Sequence, residues 1–154
     1  MTTMSQMSRL QVSRTYLGFD FGTKSLGIAV GQTITHTAQP LTAIKMQQGQ
    51  PHWLSLDAVI EEWKPYGLVV GLALQPDGKH SNTSKLAEAF GQLLAQRYQI
   101  QVHYIEERLT SVAARAIYKS KASSHASQKT EIDRISAAII LESWLNSMVS
   151  EHLS

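Results

Sequence analysis

Cysteine is absent from this 154-residue sequence. That excludes disulfides, thiol nucleophiles and cysteine-based zinc sites, and it fits the reducing cytoplasm, where the chain is expected to work. No apolar run is long enough for a bilayer. Leu68–Leu74 and Ser136–Leu141 fall far short of the roughly 20 residues a spanning helix needs, so no membrane partner is expected. Charge is also scarce, at 17% of residues with a net of +2, well below that of a protein that coats nucleic acid. The six histidines (His36, His52, His80, His103, His125, His152) have no metal-ligand spacing. No Ser-His-Asp arrangement can be argued, and no glycine-rich dinucleotide pattern lies between a strand and a helix. Residues 1–15 lack the apolar core of a secretory signal, and their Ser, Thr, Gln and Met content predicts a disordered leader. The rest, 16–150 and rich in apolar residues, is the length of a single domain with its own core.

Hydrophobic spacing supplies the element order. Tyr16–Phe21 reads as a strand ending near Asp20, and Leu26–Gly31 as a second, joined at hairpin distance by a turn that Gly22 and Gly27 help to reverse. Thr37–Lys45 predicts a third, with Pro40 marking an edge or bulge. The period then changes. Leu56, Val59, Ile60 and Trp63 share one helical face ahead of Pro65. Gly67–Leu72 is apolar throughout, as in a strand buried on both faces. A helix over 84–98, a strand over 101–105, a short helix over 110–119, a polar loop over 119–129 and a closing helix over 130–148 complete the chain. Thr130 is placed to cap that last helix, with Asp133 in its first turn. Trp53, Trp63 and Trp144 sit at helical positions and read as core, whereas Tyr118 is better placed to touch a base. The order predicts an α/β fold with a mixed five-stranded sheet, an antiparallel meander followed by parallel strands, flanked by helices.

Three acidic positions stand where strands end or a helix begins: Asp20, the Glu106–Glu107 pair and Asp133. Clustered carboxylates suit Mg²⁺ or Mn²⁺, and two such ions about 4 Å apart can activate water and stabilise the leaving oxygen of a phosphodiester without a nucleophilic side chain. Each acid also has a plainer use. Asp20 can cap a turn through nearby amides, and Asp133 in a first helical turn is favourable through the helix dipole alone. Glu106 and Glu107 face opposite ways on a continuous strand, so one of them, expected to be Glu107, reaches the site and the other is a surface residue, a partner for Arg108 or an additional ligand. The turn after Asp20 offers Thr23 and Lys24 to a phosphate. Between Arg108 and Arg134, six cations (Arg108, Arg115, Lys119, Lys121, Lys129, Arg134) face only Glu131 and Asp133, a local excess suited to a polyanion or simply to solvent.

The segments YLGFDFGTKSLGIAVGQ, VVGLALQPDG, EERLTS and EIDRISAAIILESWL, in this order, resemble the bacterial YqgF family from about Tyr16 to Leu145. Its members are ribonuclease H-like and related to RuvC-type Holliday junction resolvases. The resemblance implies a hydrolase, a nuclease processing the 5′ end of the small-subunit ribosomal RNA precursor (pre-16S rRNA) in ribosome biogenesis. It implies acids at Asp20, within the Glu106–Arg108 motif and at Asp133, and it brings Arg108 and Thr110 to the scissile phosphate. Glu106 stands where the family usually has Asp, and Ala73 and Gln75 replace the usual Pro and Asn of the fourth-strand segment.

The expected activity is therefore metal-dependent cleavage of structured RNA. The variant nearest to it is a resolvase of branched DNA, and sequence does not separate the two because such a site grips the phosphate backbone. A different class is a non-catalytic factor that binds RNA or a transcription or ribosome partner. Actin-like ATPases also open on an Asp-x-Gly-Thr hairpin, but they need a duplicated domain for which the chain has no room. Either a monomer or a homodimer is compatible with the sequence.

Overall fold

A computed structural model describes residues 13–73, 79, 82–107 and 125–153. The elements run β1 (Thr15–Phe21), β2 (Ser25–Gln32), β3 (Thr37–Gln47), β4 (Gln50–Pro51), α1 (Trp53–Trp63), β5 (Gly67–Ala73), α2 (Asn82–Tyr98), β6 (Gln101–Glu107) and α3 (His125–Leu153). The strands form one sheet in the order β4-β3-β2-β1-β5-β6. β1, β2, β3 and β4 pair antiparallel, whereas β1–β5 and β5–β6 are parallel. The expected mixed sheet is there with six strands and not five, because the two residues of β4 pair with Met46 and Gln47.

Helices cover both faces of the sheet. On one face Leu17, Phe19, Leu26, Ile28, Leu68 and Val70 meet Leu56 of α1 and Ala87, Phe90 and Leu94 of α2. On the other, Tyr16, Ala29 and Val69 meet Ala137, Ile140, Leu141 and Leu145 of α3. β1 and β5 therefore lie under helices on both sides, which is why both read as almost uninterrupted apolar runs. α1 stops at Lys64, whose backbone turns left-handed (φ 43°) and donates to the Ile60 carbonyl at 2.8 Å, ahead of Pro65. α1 and α2 are clasped at the surface. Arg97 donates to both oxygens of Asp57, from Nε at 2.9 Å and from Nη2 at 2.8 Å, and the Tyr98 hydroxyl donates to the same carboxylate at 2.6 Å. The Arg97 bonds, with that of Tyr98, hold the Asp57 carboxyl down at about 2.

Several expected boundaries move. The leader does not reach residue 15: Thr15 is in β1, the Ser13 hydroxyl donates to Gln32 at 3.0 Å, and the Arg14 amide donates to Thr33 at 2.9 Å. The remaining leader, 1–12, lies outside the described residues. β3 runs on to Gln47, and its bulge falls beside Pro40, where the register with β2 slips between Ile28 and Ala29. α3 begins at His125, so neither the polar loop up to Lys129 nor a cap at Thr130 is found. Sequence composition misled there: Ser- and Lys-rich turns of a helix look like a loop when only their polarity is read. The short helix expected over 110–119 lies outside the described residues, as does Tyr118.

Tyr16, His103 and Trp144 close the far end of the α3 face, with ring centroids 4.6 Å apart for His103–Trp144 and 6.2 Å for Tyr16–His103. Burial pushes the His103 pKa below its ordinary 6.5. The fold thus favours neutral imidazole, and the unfolded chain binds more protons between the two pKa values. This contribution to stability is complete above pH 6.5 and is lost as pH falls from there through the folded pKa. Denaturant titrations between pH 7.5 and 5 are expected to show that decline, and His103→Gln to flatten it.

Candidate functional site

β1 alternates its side chains between the two faces. Leu17, Phe19 and Phe21 go to the α1/α2 side, so Asp20 shares the α3 side with Tyr16 and Gly18 and stands, half-buried, near the carboxyl end of the central strand. Its partner across the β1–β2 hairpin is Gly27. A methyl group at 27 would lie 3.2 Å from the Asp133 Cα and would overlap the Asp133 carbonyl. Lacking that methyl, Gly27 lets the backbone of α3 rest directly on β2, and Asp133 comes to the strand pair that carries Asp20. The expectation that Gly27 serves the turn is corrected accordingly: it lies inside β2, and what matters there is the missing Cβ. The turn itself depends on Gly22, where a Cβ would stand 2.7 Å from the Ser25 carbonyl oxygen.

Asp133 is more than two turns inside α3, which starts at His125. The first-turn dipole reading of this acid therefore does not apply. Its Oδ2 is buried. Next to it Arg134 forms an ion pair with Glu131 one turn back along the helix.

The Glu pair divides by register. β6 continues through both residues, with Leu72 opposite Glu106 and Ala73 opposite Glu107. Position 106 follows the parity of Val102 and Tyr104, which pack with α1 and α2, and Glu106 is exposed. Position 107 follows that of His103 and Ile105 on the α3 side, the side of Asp20. The register of β6 thus sets position 106 on the face away from that of Asp20. The side chain of Glu107 lies outside the described residues. With β5 between them, β1 and β6 are about 10 Å apart.

Thr23 and Lys24 are exposed in the β1–β2 turn at the same end of the sheet. Arg108, Thr110, Arg115, Lys119 and Lys121 lie outside the described residues, as does Gln75, while Ala73 closes β5. Among the described residues no three His, Asp or Glu come together as a metal group. Asp20 and Asp133 contribute two positions, and register puts that of Glu107 on the same face. The donors are all carboxylate oxygens, a hard set that fits Mg²⁺ or Mn²⁺ and not the softer transition metals. No helix among the described residues is long and apolar enough to cross a membrane.

Sequence reasoning missed two features of this end of the molecule. One is the seating of Asp133 on Gly27, whose only trace in the chain is a glycine inside a strand. The other is a groove of about 550 Å³ between the outer edge of β3 and the start of α1, lined by Lys45, His52 and Trp53 among others.

Comparison with known proteins sets this geometry in context. The pattern of the RuvX family, described as Holliday junction resolvase, matches residues 14–147. A protein of Aeromonas hydrophila, provisionally named pre-16S rRNA nuclease, is 45% identical over 133 residues, which is 86% of this chain and 95% of the relative. A Haemophilus influenzae protein of the same name is 46% identical over 130 residues, 84% and 94% of the two chains. The fowlpox virus resolvase, solved with its Holliday junction DNA, superposes with a TM-score of 0.51 over 87% of this chain and 98% of its own, at 12% identity. That likeness is one of fold, and the fold is ribonuclease H-like.

The seating of α3 on β2 sets the first expected outcome for this site. Gly27→Ala is expected to cost about 1–3 kcal/mol or more, since backbone and not a flexible side chain must give way. The shift of the urea midpoint at constant slope measures it. A midpoint within error of wild type would mean that α3 is not held against β2 at Asp133.

Proposed function

The chain belongs to the RuvX family, and from that membership we propose that it is a metal-dependent endonuclease that processes the 5′ end of pre-16S rRNA. One observation carries the reading: a glycine without a Cβ brings the backbone at Asp133 onto the strand pair of Asp20, at the carboxyl end of the central strand. Carboxylates brought to one end of the sheet offer hard oxygen donors. A divalent cation is the partner that such a donor set fits.

Asp20, Asp133 and Glu107 are assigned as its ligands, with two ions of Mg²⁺ or Mn²⁺. Bound there, the ions would supply the activated water and the charge that stabilises the leaving oxygen. The chain's own part is to hold the three carboxylates on one face of the sheet and to keep the phosphodiester against them. Thr23 and Lys24 are assigned to the phosphate from the turn. Arg108 and Thr110 are assigned to the scissile phosphate, and Arg115, Lys119 and Lys121 to the flanking backbone, contacts that grip without reading sequence. This role places the protein in the cytoplasm, in ribosome biogenesis.

RNA is preferred over branched DNA as substrate because the relatives named for pre-16S rRNA are 45% and 46% identical along nearly their full length. The viral resolvase, at 12% identity, speaks only for the fold. Incubation with a pre-16S RNA fragment and, separately, a four-way DNA junction, in Mg²⁺, Mn²⁺ or chelator, separates the two. Cleavage of the RNA is expected only with metal. Asp20→Asn, Asp133→Asn and Glu107→Gln are each expected to slow it by about 10²-fold or more, since a metal supplies several kcal/mol of stabilisation in such reactions. Glu106→Gln should cleave like wild type. Junction cleavage by the same residues would change the substrate assignment. Full cellular function in the Asp20→Asn protein would replace the enzyme with a non-catalytic RNA-binding factor.

A further inference from the structure

We propose that the groove between the outer edge of β3 and the start of α1 holds the single-stranded RNA flank of the cleaved bond, gripping its phosphates through Lys45. The proposal rests on the nuclease reading above and extends it to a second contact region.

The groove opens at the end of the sheet that carries the carboxylates. Asp20 pairs with Gly27, and Gly27 with Ala43 of β3. Lys45 lies two residues beyond Ala43, opposite Ser25 and on the α3 side of the sheet, whereas Ile44, Trp53 and Val59 line the groove from the α1 side, so the groove wraps the edge of β3. Strand geometry puts Lys45 about 10 Å across and about 7 Å further along from Asp20, within reach of a strand leaving the site. Lys24 is its neighbour, because the Met46 amide donates to the Lys24 carbonyl at 3.0 Å. Both lysines are exposed. The groove thus begins where the turn of the proposed site ends.

Its chemistry selects a polyanion. Thr42–Lys45, Gln47, Gln50–Trp53, Ser55 and Val59 line it, with no carboxylate among them. β4 pairs only with Met46 and Gln47, so the outer edge of β3 over Thr42–Ile44 faces the groove and not another strand. His52 and Ser55 present polar groups joined to each other at 2.7 Å. A volume near 550 Å³ is that of a cleft for a small ligand, which suits one strand and not a duplex. Trp53 also lines it, its indole N–H donating to Gln50 at 2.9 Å, and Lys45 is the one Lys, Arg, Asp or Glu in the lining. The groove therefore reads backbone charge and is indifferent to sequence.

Binding is measured by fluorescence anisotropy in the Asp20→Asn background, so that nothing is cleaved. The probe is a labelled RNA hairpin with or without a single-stranded extension. The extension is expected to tighten binding, and Lys45→Glu to abolish that gain, weakening the extended probe roughly ten-fold and lowering the salt slope by about one. Gln39→Glu places a new carboxylate at an exposed position towards the other end of β3, a change of one charge against the two of Lys45→Glu, and should bind as its parent does. Equal losses in the two variants, or equal binding of the two probes before any change at Lys45, would overturn the groove. If the wild type cleaves the RNA with metal and yet one of those results is found, the nuclease reading stands and the groove alone falls. If no hairpin binds and no RNA is cleaved, the nuclease reading falls with it.

Discussion

The close approach of α3 to the sheet is the constraint on which the rest of the structure depends. A helix normally rides about 10 Å above a sheet on a layer of side chains. Here the strands beneath it carry glycine at the crossing points. A Cβ at Gly18 would stand 2.6 Å from the Leu141 Cβ, one at Gly71 2.5 Å from the end of Ile140, and one at Gly27 would overlap the Asp133 carbonyl. The two faces of the sheet are consequently unlike. The α1/α2 face is filled by large side chains such as Phe19, Phe90 and Leu94. On the α3 face the helix itself fills much of the space, with alanines at 137 and 138 turned to the strands.

That asymmetry explains why acids can sit at one end of the α3 face. Large apolar side chains on the strands would lift the helix and leave Asp20 and Asp133 with solvent between them. With the helix down, the backbone of one acid rests against the strand partner of the other. Dispersion contacts along the buried Leu141 and Leu145 hold α3 on the strands. The aromatic cluster of Tyr16, His103 and Trp144 anchors the opposite end, so the helix is fixed near both ends of the face and its position at Asp133 is not free to drift. Packing of α3 on the strands thus fixes the backbone of Asp133 against the strand pair that carries Asp20.

Much of this could be read from the chain because period and polarity report burial directly. Phe19 and Val70 sit in apolar runs, and their strands are the doubly covered ones. The acids could be singled out because a carboxylate in an apolar strand, as at Asp20, is costly without a purpose. What escaped the reading depends on contacts between segments far apart in sequence. Gly27 looks like any turn glycine until α3 is laid over it. The start of that helix was hidden because Ser, Lys and Gln are as common in exposed helical turns as in loops. Glu106 and Glu107 could be set on opposite faces by alternation, yet which one faced α3 had to await the register of β6 against β5. A two-residue β4 carries no periodicity at all.

The choice between RNA and branched DNA is not a property of the carboxylates. Metal-bound acids act on a phosphodiester common to both polymers, and the fold that carries them serves a DNA junction in the viral resolvase. Selectivity must come from what the substrate touches on either side of the scissile bond. One such contact region is the edge of β3, where Lys24 and Lys45 stand together. A junction resolvase has to accept duplex arms and, to cut two strands in concert, benefits from a symmetric partner. A nuclease that trims the end of a precursor has to accept one flexible strand and needs no symmetry. The groove beside β3, lined without a carboxylate, meets the second requirement and does little for the first.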